Sequence, residues 1–345
     1  MKIDNFEIRK GNAFIIAELS GNHNNDLGLA KDTISAMAEA GADAVKLQTY
    51  TADSLTMNVD NAYFGPRDSG PWKGRKPYDV FQEGALPYEW HEQLFEHSKA
   101  NGMISFSSPF DVGGVDFLMD LDVPAFKLAS FEISHIPLIE KLAAQRKPVI
   151  ISTGIARLQD IDRAVSILKD EDCPVAVLKC TSSYPATFKD ANLRSMVALG
   201  EAFGVPVGVS DHTMGATVPI VAVTLGASII EKHFILDRDL GGVDASFSLN
   251  KDEFASMVKS VREVEECLGA KDFCFNHVAK ESARRGRSIF ALIDIKPGDV
   301  LSERNLTVVR AAEGLHPEMW KELIGRKASF TLNAGDPLTF RQLMP

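Results

Sequence analysis

The stretch VGVSDHTMGATVPIVAVTLGASIIEKHF, residues 207–234, contains the same pattern twice. A short apolar run (207–209) ends in Ser210, Asp211 and His212, and a helical stretch then stops at Gly226. A second run (228–230) ends in Glu231, Lys232 and His233. Short apolar runs alternating with segments of helical period read as β-α units in a parallel sheet. Working outward, similar runs occur at 13–17, 43–47, 104–106, 125–128, 149–151 and 175–178, which brings the strands to eight. Helical spacing occupies 27–40, 89–101, 158–169, 192–203 and 251–268, and Gly41, Gly102, Gly204, Gly226 and Gly269 stand where helices stop. Eight such units in about 250 residues predict an α/β fold, the closed (β/α)8 TIM barrel, in preference to a doubly wound open sheet.

The chain has 345 residues, room for a barrel and an appendage. With 45% hydrophobic and 24% charged residues it has the composition of an ordinary folded protein. Cys173, Cys180, Cys267 and Cys274 form no CxxC or zinc-type spacing, and a reducing, cytoplasmic setting is expected. The opening MKIDNFEIRKGNAFII does not read as a signal peptide, so none is expected, and no apolar run approaches the roughly 18 residues of a membrane span. A net charge of −10 argues against a nucleic-acid partner. The charge is uneven: residues 268–345 carry 12 basic and 9 acidic side chains, a net of +3, which leaves −13 on residues 1–267.

Two regions break the β-α rhythm. Residues 58–87 form a long insertion rich in Gly, Pro and aromatics, expected as a structureless lid. Residues 268–285 read as a polar linker, and from 286 to 345 the pattern becomes that of a small β domain. There DIKPGDVL (294–301) and TLNAGDPL (331–338) form a weak internal repeat around Gly-Asp turns.

Chemistry in a barrel gathers at the C-terminal ends of its strands. Those ends carry Glu18, Lys46, Gln48, Ser108, Lys127, Ser130, Glu132, Ser152, Ser182, Ser210, His212, Glu231 and His233. Lone lysines usually lie along the surface, but two beside several serines suit an anion with many acceptor oxygens, such as a phosphate. A desolvated lysine can also form a Schiff base. His212 and His233 end consecutive strands, so they are either a pair of metal ligands or two hydrogen-bonded core histidines. Glu18 and Glu132 are acid–base candidates, or else salt-bridge partners of the lysines. Asp244 stands in a glycine loop as a substrate contact or a turn residue. His23 reads as a turn residue.

Eight ordered motifs then carry a resemblance: AELSGNHNND (17–26), GADAVKLQTY (41–50), FSSPFD (106–111), PAFKLASFE (124–132), VIISTGI (149–155), CTSSYP (180–185), VGVSDHT (207–213) and SIIEKHF (228–234). Together they resemble the sialic acid (nonulosonic acid) synthase family, and the tail resembles its antifreeze-like SAF, or β-clip, domain. The resemblance implies an enzyme that condenses phosphoenolpyruvate with an amino-sugar aldehyde. GPWKGRKPYDVFQEGALPYEWH in the insertion and EGLHP at 313–317 point to the branch that takes a diacetamido-trideoxy sugar. Within the family the alternatives are N-acetylneuraminate, legionaminate and spore-coat sugar synthases. Outside it they are a Schiff-base aldolase and a non-catalytic carbohydrate-binding protein.

The resemblance also assigns residues. It implies that Lys46, Ser108, Lys127, Ser130, Ser152, Ser182 and Ser210 bind phosphoenolpyruvate, and that Glu18, Lys46, Lys127 and Glu132 are catalytic. It places Asn22, Gln48, Tyr184, Asp244 and Arg310 on the sugar. His212 and His233 are implied as ligands of a divalent metal, manganese, with magnesium or cobalt as alternatives. Arg310 is implied to enter the barrel of a second subunit, which requires a domain-swapped homodimer. This sequence departs from the family at Ser108, Ser182, Val243, Ala311 and Ala312, where Thr, Asn, Pro and Pro-Gly are usual.

Overall fold

A computed structural model describes residues 1–70, 72–269 and 276–343, and the chain divides into two units, Met1–Gly269 and Ala270–Pro345. The first is a closed parallel barrel of eight strands: β1 (Phe14–Glu18), β2 (Ala44–Thr49), β3 (Ile104–Pro109), β4 (Phe126–Leu128), β5 (Val149–Ser152), β6 (Val175–Cys180), β7 (Val207–Asp211) and β8 (Ile229–His233). All eight strands fall on the expected runs. Several extend into the polar residues that follow, because the ladder continues past the last apolar side chain: Gln48 pairs with Ser108, Cys180 with Ser210 and His233 with Glu18.

Strand periodicity decides what faces the barrel axis. Phe14, Ile16, Ala44, Ile104, Phe106, Ala125, Ile150, Ala176, Leu178 and Ile229 pack in the interior. Ile15, Val45, Leu47, Phe126, Leu128, Val149, Ile151, Val175, Val177, Val209 and Ile230 pack outward with the helices. Gly208 occupies an inward position where an added Cβ would meet the Ile229 carbonyl oxygen at 2.1 Å, so only glycine lets β7 and β8 approach here. Ile3 and Ile8, from a two-stranded ribbon (Lys2–Ile3 with Phe6–Glu7), pack with the interior residues.

The insertion is not structureless: Pro77–Gly84 is a helix with proline in its first turn, too short to register as a period. Of the expected linker, 270–275, with Cys274, lie outside the described residues, and His277–Ala283 forms a helix capped by Asn276.

In the second unit β9 (Arg287–Ala291) pairs antiparallel with β10 (Leu306–Arg310). The two repeats make the same turn twice. Gly298 (φ 93°) and Gly335 (φ 89°) take the left-handed conformation. Asp299 and Asp336 accept from the backbone three residues earlier, Lys296 and Asn333, at 2.8 and 2.7 Å. Ile295 and Leu332 bridge the two halves.

Candidate active site

The polar strand ends continue the inward register of the apolar residues beneath them: Glu18 follows Phe14 and Ile16, Lys46 follows Ala44, Lys127 follows Ala125, and Glu231 and His233 follow Ile229. They converge on a cavity of about 720 Å³ lined by Glu18, Lys46, Gln48, Ser108, Lys127, Ser130, Glu132, Ser152, Ser182, Tyr184, Ser210, His212, His233 and Asp244. The alternate residues Asp211 and Lys232 are not in that lining and form their own buried ion pair at 2.5 Å.

At the floor, charges are cross-paired. Lys46 Nζ lies 2.6 Å from Glu18 Oε1 and 3.8 Å from Glu231 Oε1. Lys127 Nζ lies 3.9 Å from the same Glu231 oxygen, and donates to Ser152 Oγ at 2.7 Å and to the Leu128 carbonyl at 3.2 Å. Ser210 Oγ donates to Glu231 at 2.9 Å. All four charged groups are buried, where an unpaired charge costs several kcal/mol, so each holds the others in place. Burial disfavours the Glu18 charge, but Lys46 and His233 outweigh it and keep the carboxyl well below its usual range. Burial also opposes the Lys46 charge, and there Glu18 and Glu231 prevail, raising its pKa. For Lys127 burial wins over Glu231, and the ammonium sits below the usual lysine range.

Beside the lysines stand free acceptors and donors. Ser130 Oγ and Ser182 Oγ are 2.9 Å apart, and a Cβ on Gly154 would meet them at 2.6 and 2.0 Å, so the bare glycine backbone makes room for both. Ser108 Oγ and Glu132 Oε2 are buried with no partner. Burial, opposed by Lys127, pushes the Glu132 carboxyl up to about 7, the range of a group that exchanges protons near neutrality.

His212 and His233 lie side by side, ring centroids 5.2 Å apart. His212 Nδ1 donates to the Thr181 carbonyl at 2.9 Å, so Nε2 carries the lone pair whenever the ring is neutral; burial opposes its charge, but Cys180, the Thr181 bond and Glu18 outweigh burial and raise its pKa. Burial pushes His233 toward its neutral form against Glu18, whose Oε2 is 3.3 Å from Nε2, and its Nδ1 is buried without a partner. A locked tautomer beside an orphaned ring nitrogen fits a divalent ion. Among the described residues no group of three or more His, Cys, Asp or Glu is arranged to hold one, so the remaining ligands would come from substrate or water.

The wall above is different. Asp244 accepts from Ser20 Oγ and from the Gly21 amide (3.3 Å), and Gln48 Nε2 donates to Glu18 at 2.7 Å and Ser20 at 3.3 Å. Tyr184 stacks obliquely on His212 with centroids 4.3 Å apart. The insertion adds Tyr63, Phe64, Arg67, Trp72 and Phe81.

Two expected contacts are not in the cavity lining. Asn22 is buried and donates to the Phe234 carbonyl and Ser248 Oγ, both at 2.8 Å, so its amide ties the loop after β1 to that after β8. Arg310 belongs to the second unit, exposed at the end of β10 opposite Arg287. His23 fits the turn reading: it is buried, with Nδ1 accepting from the Asn25 amide and Nε2 3.3 Å from the Gly84 carbonyl. Sequence reasoning placed Glu231 at a strand end without giving it a role, and did not single out Cys180 or Trp72 as cavity residues. Glu231 was detectable, because the alternation that turns His233 inward turns Glu231 inward too.

An eight-stranded parallel barrel with buried lysines, serines, carboxylates and paired histidines at its C-terminal face defines a TIM-barrel enzyme. Residues 33–273 match the NeuB family and residues 286–344 the SAF domain; the chain belongs to the NeuB family of synthases. It is 44% identical over 339 residues to a pseudaminic acid synthase of Campylobacter jejuni, covering 98% of each chain. It is also 44% identical over 327 residues to one of Helicobacter pylori, covering 94% of this chain and 96% of that one. Among solved structures, an N-acetylneuraminic acid synthetase from Leptospira borgpetersenii in complex with citrate superimposes with a TM-score of 0.73 at 32% identity, over 82% of this chain and 94% of that one.

Proposed function

We propose that the enzyme is a pseudaminic acid synthase, condensing phosphoenolpyruvate, 2,4-diacetamido-2,4,6-trideoxy-L-altropyranose and water to pseudaminic acid and phosphate. The observation that carries the chemistry is the pair of buried lysines set among unpaired or shared serine hydroxyls, with a carboxyl titrating near neutrality beside them. The choice of sugar rests on full-length likeness to synthases of that name.

In this reading Lys46 and Lys127 neutralise the carboxylate and phosphate of phosphoenolpyruvate. Ser108, Ser130, Ser152, Ser182 and Ser210 bind its oxygens, and Gly154 leaves them room. C3 of phosphoenolpyruvate forms a bond to the sugar aldehyde carbon, whose oxygen takes a proton from solvent to become a hydroxyl. Water adds at the cationic C2, and the C2–O bond to phosphate then breaks as the new hydroxyl gives its remaining proton to the departing phosphate and becomes the C2 carbonyl. Glu132 takes the proton that the water loses. Glu18, already committed to Lys46 and Gln48, stays ionised and stabilises the positive C2. Gln48, Tyr184 and Asp244 orient the sugar. His212 and His233 would hold a divalent ion, manganese in our reading, which when bound supplies Lewis-acid polarisation of the aldehyde. Arg310 enters the barrel of a second subunit in a domain-swapped homodimer, where the basic tail meets acidic surface.

The test is mass spectrometry of products formed from phosphoenolpyruvate, Mn2+ and a panel of amino sugars. The expected product from the trideoxy sugar is pseudaminic acid with one phosphate released. A chelator is expected to abolish turnover and Mn2+ to restore it. Full activity of thoroughly metal-stripped enzyme would remove the metal from this account.

A further inference from the structure

The insertion holds one aromatic residue in a fixed pose over the cavity. Its loop folds back on itself at Arg67 and Arg75: the Arg67 amide donates to the Arg75 carbonyl at 3.0 Å, and the Gly74 amide to the Arg67 carbonyl at 2.8 Å. Trp72, within this loop, reaches across 171 positions of sequence, and its indole N–H donates to the Val243 carbonyl at 3.0 Å. The Arg67 guanidinium stands 5.6 Å from the Trp72 ring centroid. Val243 is itself seated. A Cβ on Gly21 would meet its Cγ2 at 2.4 Å, and one on Gly84 would meet it at 3.2 Å, so two bare glycines, one after β1 and one in the insertion's helix, form its slot. Insertion, β1 loop and β8 loop are thereby laced together around one residue, next to Asp244.

Two consequences follow for anything lying in the cavity. The indole donor is spent on Val243, so Trp72 offers the cavity an apolar ring and no hydrogen bond. The Tyr184 ring stands 6.4 Å from that of Trp72, and Tyr63, Phe64, Phe81 and Val243 add further apolar surface to the same cavity. A hydroxyl pressed against such a wall loses water without gaining a partner, whereas a methyl or an acyl methyl gains contact.

We propose that Trp72, clamped by Val243 and Arg67, is a specificity-determining residue, its ring selecting the deoxygenated, acylated side of the sugar against a hydroxylated one. This rests on the pseudaminic acid reading above. Apolar pockets of this kind discriminate by roughly 10–200-fold.

The experiment measures kcat/KM for the diacetamido-trideoxy sugar and for N-acetylmannosamine, with wild type, Trp72→Ala and Trp72→Phe, alongside KM for phosphoenolpyruvate. Wild type is expected to prefer the trideoxy sugar. Trp72→Ala is expected to lower that preference about tenfold or more, leaving KM for phosphoenolpyruvate unmoved. Trp72→Phe keeps a ring but loses the clamp, so it is expected to lose part of the preference; it carries the test if the alanine variant does not fold. If wild type prefers the trideoxy sugar and both variants keep the full ratio, the assignment to Trp72 is overturned while the synthase reading stands. If wild type prefers N-acetylmannosamine, the sugar reading falls and the apolar selection falls with it.

Discussion

The floor of the cavity and its wall are built by opposite means. The floor is made of strand ends: Glu18, Lys46, Lys127, Glu231 and His233 each sit at an inward position fixed by a ladder register, and each is buried. Apart from Gln48 at the end of β2, the wall is made of connections, and its residues range from buried Tyr50 to Tyr63 at 87% exposure. Strand-borne groups cannot shift without breaking a sheet, which suits chemistry that must be held to a fraction of an ångström. Loop-borne groups exchange easily, which suits choosing among sugars. In the proposed reaction, phosphoenolpyruvate binding rests mainly on the floor, with Ser130 and Glu132 in the short 3-10 turn that follows β4, and substrate choice on the wall.

Lys127 carries the largest expected effect. Lys127→Ala removes the cation that Ser152 and Glu231 face, and turnover measured as phosphate release is expected to fall by at least about a thousand-fold. It also leaves Glu231 with one lysine instead of two. The variant is therefore expected to melt earlier, and adding Glu231→Gln to recover stability but no activity. A Lys127→Ala enzyme with near-normal turnover would mean that the floor is not the reaction centre.

Glu132 tests the floor more gently. With its carboxyl near pH 7, it is the charged base above that pH and the neutral acid below it. As acceptor of the water proton it must be charged, so kcat is expected to fall as pH drops through about 7. Glu132→Gln is expected to cost about a hundred-fold at the optimum and to erase that limb from the pH profile. Because burying the ionised carboxyl is unfavourable, the same substitution is expected to raise the melting temperature at pH 8. A limb that persists in Glu132→Gln assigns the ionisation elsewhere.

The two regions also differed in how far sequence could reach. Barrel strands alternate with period two, so a reader of IIEKH who knows that Ile229 faces in knows that Glu231 and His233 do as well. Lys46, Lys127, Ser108, Ser152, Ser210 and His233 follow that rule, whereas Ser130 and Glu132 lie in the 3-10 turn after β4 and were found as residues just past a strand end. Glu231 stood among the strand ends without a role, although the same alternation turns it toward both lysines. The wall offered no such rule. That Trp72 meets Val243, or that Val243 needs glycine at 21 and 84, depends on a loop conformation that no local period encodes. Asn22 shows the converse: a polar residue in a motif looked like a contact, and its amide instead closes two loops. The tail's weak repeat was legible as turns, but not the pairing of Ile295 with Leu332 that makes the halves one unit.

A subunit-mixing experiment sharpens which surfaces complete the site. If Arg310 acts in the partner's barrel, Lys127→Ala and Arg310→Ala chains are each inactive alone. After co-refolding, half the dimers are mixed, and each mixed dimer holds one intact site. Activity is then expected to return to about a quarter of wild type. An active Arg310→Ala chain would place Arg310 outside the reaction, and two inactive chains with no recovery on mixing would place it in its own chain's barrel.

The smallest expected effect is invisible at neutral pH and concerns the point where the insertion rejoins the barrel. His91 is fully buried there, Nε2 2.9 Å from Thr49 Oγ1 at the end of β2 and Nδ1 3.2 Å from the Pro87 carbonyl at the insertion's end. Burial, only partly offset by backbone hydrogen bonds, pulls its pKa down to about 4. The unfolded chain takes up this proton near its ordinary value of 6.5, the folded chain only near 4. The stability conferred by a neutral His91 is therefore complete above about pH 6.5 and lost progressively down to about 4, with no further loss below. At about 1.4 kcal/mol per unit, the whole window is worth on the order of 3 kcal/mol. Denaturant midpoints at pH 7, 5 and 4 are expected to fall in that order, and to fall less steeply in His91→Gln, which keeps a polar group facing Thr49. Hydrogen exchange sets the two regions apart: at pH 5 protection is expected to drop around residues 84–91 while the amides of β1, β2 and β8 stay protected. Equal loss across the strands would mean that floor and wall unfold as one unit, and that the division between them is chemical rather than mechanical.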